Sequence, residues 1–73
     1  MTAPQPAKPV YRAVCWVPKE SYWIQRDGIL VAVADVYNAG WALRSVSGLT
    51  LSGKFHRTPQ MAATEAKRRG LRA

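Results

Sequence analysis

The chain has 73 residues, a net charge of +7 and a composition that is 48% hydrophobic. This length predicts one domain, and the apolar content excludes a disordered tail. No apolar run approaches the roughly 18 residues that a membrane span needs, so we expect no membrane association. Residues 1–9 hold three prolines. They predict a flexible arm and not a signal peptide, ahead of a single domain over residues 10–73.

Cys15 is the one cysteine of the chain, which excludes an internal disulfide. Its apolar neighbours Val14, Trp16 and Val17 favour a small buried hydrophobic residue over a nucleophile. A short chain without disulfides or a targeting signal predicts a cytoplasmic protein.

The positive charge is concentrated near the end of the chain. Residues 1–20 carry a net +2, residues 21–53 are neutral, and residues 54–73 hold six basic residues and one acidic residue, a net +5. Clustered positive charge favours a polyanionic partner. The alternative is that the basic residues aid solubility and oppose the dipole of a helix C-terminus.

Several apolar stretches have strand character. VYRAVCWV at 10–17 is dominated by β-branched and aromatic residues, and YWIQR at 22–26 predicts a second strand. Asp27-Gly28 is typical of a hairpin turn. ILVAVADVY at 29–37 also fits one face of a helix, but its three valines and the preceding turn favour a central strand.

The next segment continues the sheet. Asn38-Ala39-Gly40 predicts a turn, and WALRSVS at 41–47 alternates loosely as a strand. The residues LTLS between Gly48 and Gly53 either extend the sheet or form a bend.

The C-terminal segment predicts a helix. Thr58 is a suitable cap, Pro59 suits the first helical position, and Gly70 is a natural stop. One face carries only small residues: Pro59, Ala62, Ala63, Ala66 and Gly70. We therefore expect an α+β fold, in which an antiparallel sheet of three to four strands has one C-terminal helix packed on one face.

Residues that could perform catalysis are scarce. His56 is the only histidine, and no spacing supports a pair between His56 and Cys15. Asp27 is explained by the turn, Asp35 is expected on the solvent face of its strand, and Glu65 on the exposed side of the helix. The sequence offers too few ligands for a metal site and no glycine-rich phosphate loop. We expect no enzyme activity and no cofactor.

An aromatic and basic surface is expected on the sheet face that the helix leaves uncovered. The predicted register turns one set of side chains to the helix, namely Tyr11, Ala13, Cys15, Val17, Tyr22, Ile24, Trp41 and Leu43. The opposite set then comprises Arg12, Val14, Trp16, Trp23, Gln25 and Arg44, and Arg26 is expected on this face as well. Such a surface suits nucleic acid or a protein partner. The alternatives are a register shifted by one, with the tryptophans in the core, or a homodimer that covers this face.

The basic residues of the last segment are candidates for phosphate contacts: Lys54, Arg57, Lys67, Arg68, Arg69 and Arg72. They spread over a wide arc of the predicted helix and do not form a single stripe. The alternative is a solvated helix end and tail.

The stretch from Gly53 to Ala63, GKFHRTPQMAA, ends a strand and caps an alanine-bearing helix. It resembles the corresponding part of AP2-type and phage-integrase N-terminal DNA-binding domains, over about the last third of the chain. The resemblance implies a three-stranded sheet that enters the major groove, and a DNA role for Arg12 and Arg44. This chain has Gln60 and Met61 where acidic residues are usual.

The sequence therefore predicts a small nucleic-acid-binding module for DNA or RNA, regulatory or phage-derived. The alternative is a protein-interaction module, such as a phage inhibitor or adaptor, that docks on an acidic host protein through Trp16 and Trp23.

Overall fold

The structure is a computed structural model that describes residues 8–72. Its elements in chain order are β1 (Tyr11–Val17), β2 (Ser21–Arg26), β3 (Ile29–Tyr37), β4 (Gly40–Arg44) and α1 (Pro59–Arg69). The four strands form one sheet in the order β1-β2-β3-β4, each antiparallel to the next. The predicted α+β class, with an antiparallel sheet and a single C-terminal helix, is confirmed.

The hairpin between β2 and β3 follows from the Asp27-Gly28 pair. Both residues adopt positive φ, 51° and 83°. Those angles match the two-residue turn whose twist suits a hairpin. The turn is closed further by a hydrogen bond of 3.0 Å from the backbone N–H of Val10 to the Asp27 carboxylate. The stretch at 29–37 is accordingly a strand, as predicted, and not a helix.

Helix α1 begins and ends where its capping residues predict. The Thr58 hydroxyl accepts a hydrogen bond of 3.2 Å from the N–H of Met61. Gly70 adopts a φ of 64°, and the N–H groups of Gly70 and Leu71 bond back to carbonyls of the last turn. This arrangement satisfies carbonyl groups that a helix end otherwise leaves unpaired.

The core lies between the sheet and the alanine face of α1. Its buried members are Ile24, Val31, Ala32, Ala34, Leu43, Ala62, Ala63 and Ala66. Because the helix presents alanines, its backbone packs close to the sheet, and only Ile24 and Leu43 supply large, fully buried side chains. A register shift near Ile24 adds one residue to β3, so Val31 and Ala32 both reach the core.

Three expectations about the sheet are wrong in detail. Cys15 is exposed, and neither Cys15 nor Val17 is among the side chains packed on the core. The cause at Val17 is a bulge that places it opposite Ser21 and breaks the alternation. The last strand ends at Arg44 because residues 45–48 reverse the chain, and Thr50 then pairs back with Arg44.

The first seven residues of the predicted arm, and Ala73, lie outside the described residues. Over residues 8–72, no helix combines the length and the apolar character that crossing a membrane requires.

Candidate nucleic-acid interface

The sheet face opposite α1, called the open face below, carries the side chains that the register analysis assigned to it. Arg12 lies opposite Gln25, and Val14 lies opposite Trp23. Directly opposed residues share a face, so this row points away from the core that contains Ile24. The predicted assignment of Arg12, Val14, Trp23 and Gln25 therefore agrees with the strand pairing.

Trp16 joins the open face at the bulge of β1. Its ring stacks on that of Trp23, with centroids 5.5 Å apart and planes inclined by 30°. A shallow depression beside it is lined by Val33, Asp35 and Arg44. Trp16 is 55% exposed, whereas Trp23 is half-buried beneath it. One face of the Trp16 ring is thus packed on protein while much of its surface stays open to solvent.

Arg44 also lies on the open face, but its guanidinium is engaged within the chain. It forms an ion pair of 2.9 Å with Asp35 and donates to the carbonyl of Gly48. The hydroxyl of Ser21 donates to the other oxygen of the same carboxylate, at 2.6 Å. Asp35 therefore lies on the open face as predicted, but its carboxylate is part-buried and paired there. The guanidinium of Arg44 is held by Asp35 and by the turn after β4.

Two of the predicted phosphate-binding residues on α1 are paired in a similar way. Arg68 and Arg69 both donate to the Glu65 carboxylate. The hydrogen bonds from Arg68, then those from Arg69, lower the pKa of Glu65 to about 2. With Lys54 these residues line one cleft between the helix and residues 52–54. The positive charge of this cleft is partly neutralised by Glu65.

A second set of cations gathers at the C-terminal end of α1. A hollow of about 230 Å³, called the basic hollow below, is lined by Lys8, Pro9, Tyr11, Arg26, Lys67, Gly70 and Arg72. Four of these seven residues are cationic, and no carboxylate of the described chain lines the hollow. The Nε–H of Arg26 is buried and has no acceptor among the described residues. A bound oxyanion offers the acceptors and the negative charge that this group of side chains lacks.

The basic hollow is held together by contacts between the first strand and the end of the helix. The Tyr11 hydroxyl donates a hydrogen bond of 2.8 Å to the carbonyl of Leu71, and both side chains pack on the core. Arg26 lies opposite Tyr11 in the sheet and shares its face. The Gly70 cap turns the chain back here, which brings Arg72 beside Lys67.

The predicted site residues therefore fall into separate groups. Arg12, Trp16, Trp23 and Arg44 lie on the open face. Lys67 and Arg72 lie in the basic hollow, Lys54, Arg68 and Arg69 line the cleft with Glu65, and Arg57 is exposed just before the helix. The open face and the helix-side cations are on opposite sides of the sheet, so these residues do not form one continuous surface.

Two basic residues of the hollow were missed. Arg26 was expected among the cations of the open face, and this is wrong: it lies opposite Tyr11 and lines the hollow on the helix side, because it follows the inward-facing Ile24 by two residues. Lys8 was assigned to the flexible arm, and no local pattern indicated that it lies near the helix C-terminus. Cys15 and His56 lie at opposite edges of the sheet, since Cys15 is on edge strand β1 and His56 pairs with Trp41 on β4.

Comparison with protein-family models, with curated proteins and with solved structures gives no match for this chain. The resemblance of residues 53–63 to AP2-type and integrase domains stays a prediction, as does the homodimer.

Proposed function

We propose that this chain is a nucleic-acid-binding module whose phosphate contacts are made at the basic hollow. The observation that carries the proposal is the convergence of Lys8, Arg26, Lys67 and Arg72 around one concave site without an acidic residue of the described chain in its lining. Cations placed side by side repel one another, and an oxyanion between them relieves that repulsion.

Charge pairing elsewhere supports the choice of this site. Within residues 8–72, the ion pairs join Asp35 to Arg44 and Glu65 to both Arg68 and Arg69. The cations of the basic hollow take no part in those pairs. A phosphate at the hollow therefore displaces no ion-pair partner among residues 8–72, whereas a phosphate at Arg68 or Arg69 competes with Glu65.

The test is binding to DNA and RNA across a salt series, measured by fluorescence anisotropy. For duplex DNA the slope of log affinity against log salt is about 0.9 for each phosphate contacted. The double variant Lys67→Ala/Arg72→Ala is expected to make the slope shallower by about 1.8. The matched control is Lys54→Ala/Arg57→Ala, which removes the same charge near the start of the helix.

An unchanged slope in Lys67→Ala/Arg72→Ala would exclude the hollow. Equal changes in both double variants would mean that net charge alone drives binding. No binding by the unmodified protein at low salt would exclude the function altogether.

A second candidate function is a protein-interaction module. The stacked and partly exposed Trp16 and Trp23 on the open face favour it, since tryptophan is frequent at the centres of protein interfaces. In that case Trp16→Ala abolishes binding to a purified acidic partner, and the Lys67→Ala/Arg72→Ala variant slows association without abolishing it.

A further inference from the structure

We infer that the bound nucleic acid is single-stranded and that its chain passes around strand β1, so that a base stacks on Trp16 while phosphates occupy the basic hollow. This inference rests on the proposed function and specifies its substrate. It arises from the placement of the two surfaces on opposite sides of one edge strand.

Trp16 has the properties of a stacking platform. One ring face lies against Trp23, which holds the indole in a defined orientation, and the side chain is still 55% exposed. Every base has a π-face, so stacking on such a ring tolerates any sequence. The bases of a duplex are already stacked on one another, and only an unpaired base is free to lie on the indole.

Hydrogen-bonding groups lie on the same face of the same two strands, nearer the start of β1 than Trp16. A hollow of about 360 Å³ on the open face is lined by Arg12, Val14 and Gln25, together with Val10 and the turn residues Asp27 and Gly28. Arg12 is exposed and forms no ion pair within the described chain. The guanidinium of Arg12 and the carboxamide of Gln25 supply contacts to a phosphate and to a base edge.

The two hollows meet at the start of β1. Pro9 and Tyr11 line the basic hollow, while Val10 and Arg12 line the hollow on the open face. β1 is an edge strand, and only β2 pairs with it among the described residues. A chain that contacts both hollows must therefore bend around this edge within a few residues. Duplex DNA has a persistence length of about 150 base pairs and stays straight on this scale, whereas a single strand bends readily.

The experiment compares an oligothymidylate of about 15 nucleotides with a duplex of the same length. Trp16→Ala is expected to weaken binding of the single strand by about 5- to 150-fold, the range for loss of one stacked base. The same substitution leaves the affinity for the duplex and the salt slope unchanged. Trp16→Phe, which keeps a ring, retains most of the affinity. Met61→Ala, at a similarly exposed residue on the helix, changes nothing.

A second measurement does not depend on the stability of the Trp16→Ala variant. In Trp41→Phe the remaining indoles are Trp16 and Trp23, so a base stacked on Trp16 quenches a large part of the fluorescence at saturating oligothymidylate. Absence of quenching at saturation overturns the stacking proposal. Wild-type affinity of Trp16→Ala for the single strand, with the salt-dependent contacts of Lys67 and Arg72 intact, also overturns it and leaves the proposed function standing. If the unmodified protein binds neither probe at low salt, it is the proposed function that fails.

Discussion

The ring of Trp16 lies against that of Trp23 at the one place where β1 carries an extra residue opposite β2. Without the bulge, Trp16 and Val17 would continue the strict alternation of the strand. The bulge interrupts the regular pairing of β1 with β2 between Cys15 and Val17, and the Trp16 ring lies over the Trp23 ring on the open face. An irregularity in the ladder thus coincides with the most exposed tryptophan contact of the molecule.

The stacked pair is expected to be energetically coupled. Trp23→Ala should destabilise the fold more than Trp16→Ala, because Trp23 is half-buried and Trp16 is mostly exposed. A double-mutant cycle on the free energy of unfolding should give a coupling of about 0.5–1.5 kcal/mol. Additive effects of the two substitutions would show that the rings touch without stabilising each other.

Gly40 is expected to be the glycine least tolerant of substitution. Its φ is +131°, and a Cβ at this position would lie 2.6 Å from the carbonyl oxygen of His56. Gly40→Ala should therefore cost about 2–4 kcal/mol in the free energy of unfolding, from backbone strain and the clash together. Gly53→Ala is the control, since Gly53 has no atom within 4 Å of a built Cβ. Urea unfolding of both variants measures the difference, and equal stabilities would contradict the close approach.

Glu65→Gln should change how stability depends on pH. The carboxylate has a pKa of about 2 in the folded chain against its usual 4.5, chiefly because Arg68 and then Arg69 donate to it. Since the folded pKa is the lower one, the stabilisation is fully present above about pH 4.5 and is lost as the pH falls through about 2. Thermal unfolding of the two proteins should therefore differ at pH 7 and converge near pH 2. A difference that is constant with pH would mean that the ion pairs contribute nothing.

Arg44→Ala should affect stability and leave nucleic-acid binding nearly unchanged. The substitution removes the ion pair with Asp35 and the hydrogen bond to Gly48, at a cost of about 1–3 kcal/mol. The salt slope of binding should stay as in the unmodified protein. A slope shallower by about 0.9 would instead show that Arg44 leaves Asp35 to contact a phosphate.

The alanine face of α1 should reject larger side chains. Ala66 is fully buried between the helix and the sheet, and Ala66→Leu should cost about 1–3 kcal/mol because the helix must move outward. Met61→Leu lies on the exposed side of the same helix and should change the free energy of unfolding by less than about 0.5 kcal/mol. If Ala66→Leu were as stable as Met61→Leu, the packing at this position would be loose.

Local chemistry accounts for what could be predicted from the sequence. The turn and the two helix ends are each determined by their own residues, so a few neighbouring positions were enough to predict them. These residues are Asp27-Gly28, Thr58, Pro59 and Gly70. Strand geometry likewise predicts that Arg12 and Trp16 lie on one face of the sheet and Ala13 on the other.

Features that depend on contacts between distant segments could not be predicted from local sequence. The bulge at Trp16 arises from pairing with β2, and the turn after Arg44 from the return of Thr50 to the sheet edge. The basic hollow joins Lys8 to Arg72, residues near opposite ends of the chain. The net charge of each segment therefore pointed to the last helix, but it did not indicate which basic side chains meet in the hollow.

The hydrogen bond from Tyr11 to Leu71 spans 60 positions of the chain, and it lies in the wall of the basic hollow. The hollow therefore forms only when the first strand and the end of the helix have docked, which is a contact between residues far apart in the chain. Under the proposed function, fraying at either end weakens phosphate binding, so that affinity reports whether both ends of the domain are docked. By the same linkage, any anion that binds there holds the two ends together and raises the temperature at which the domain unfolds.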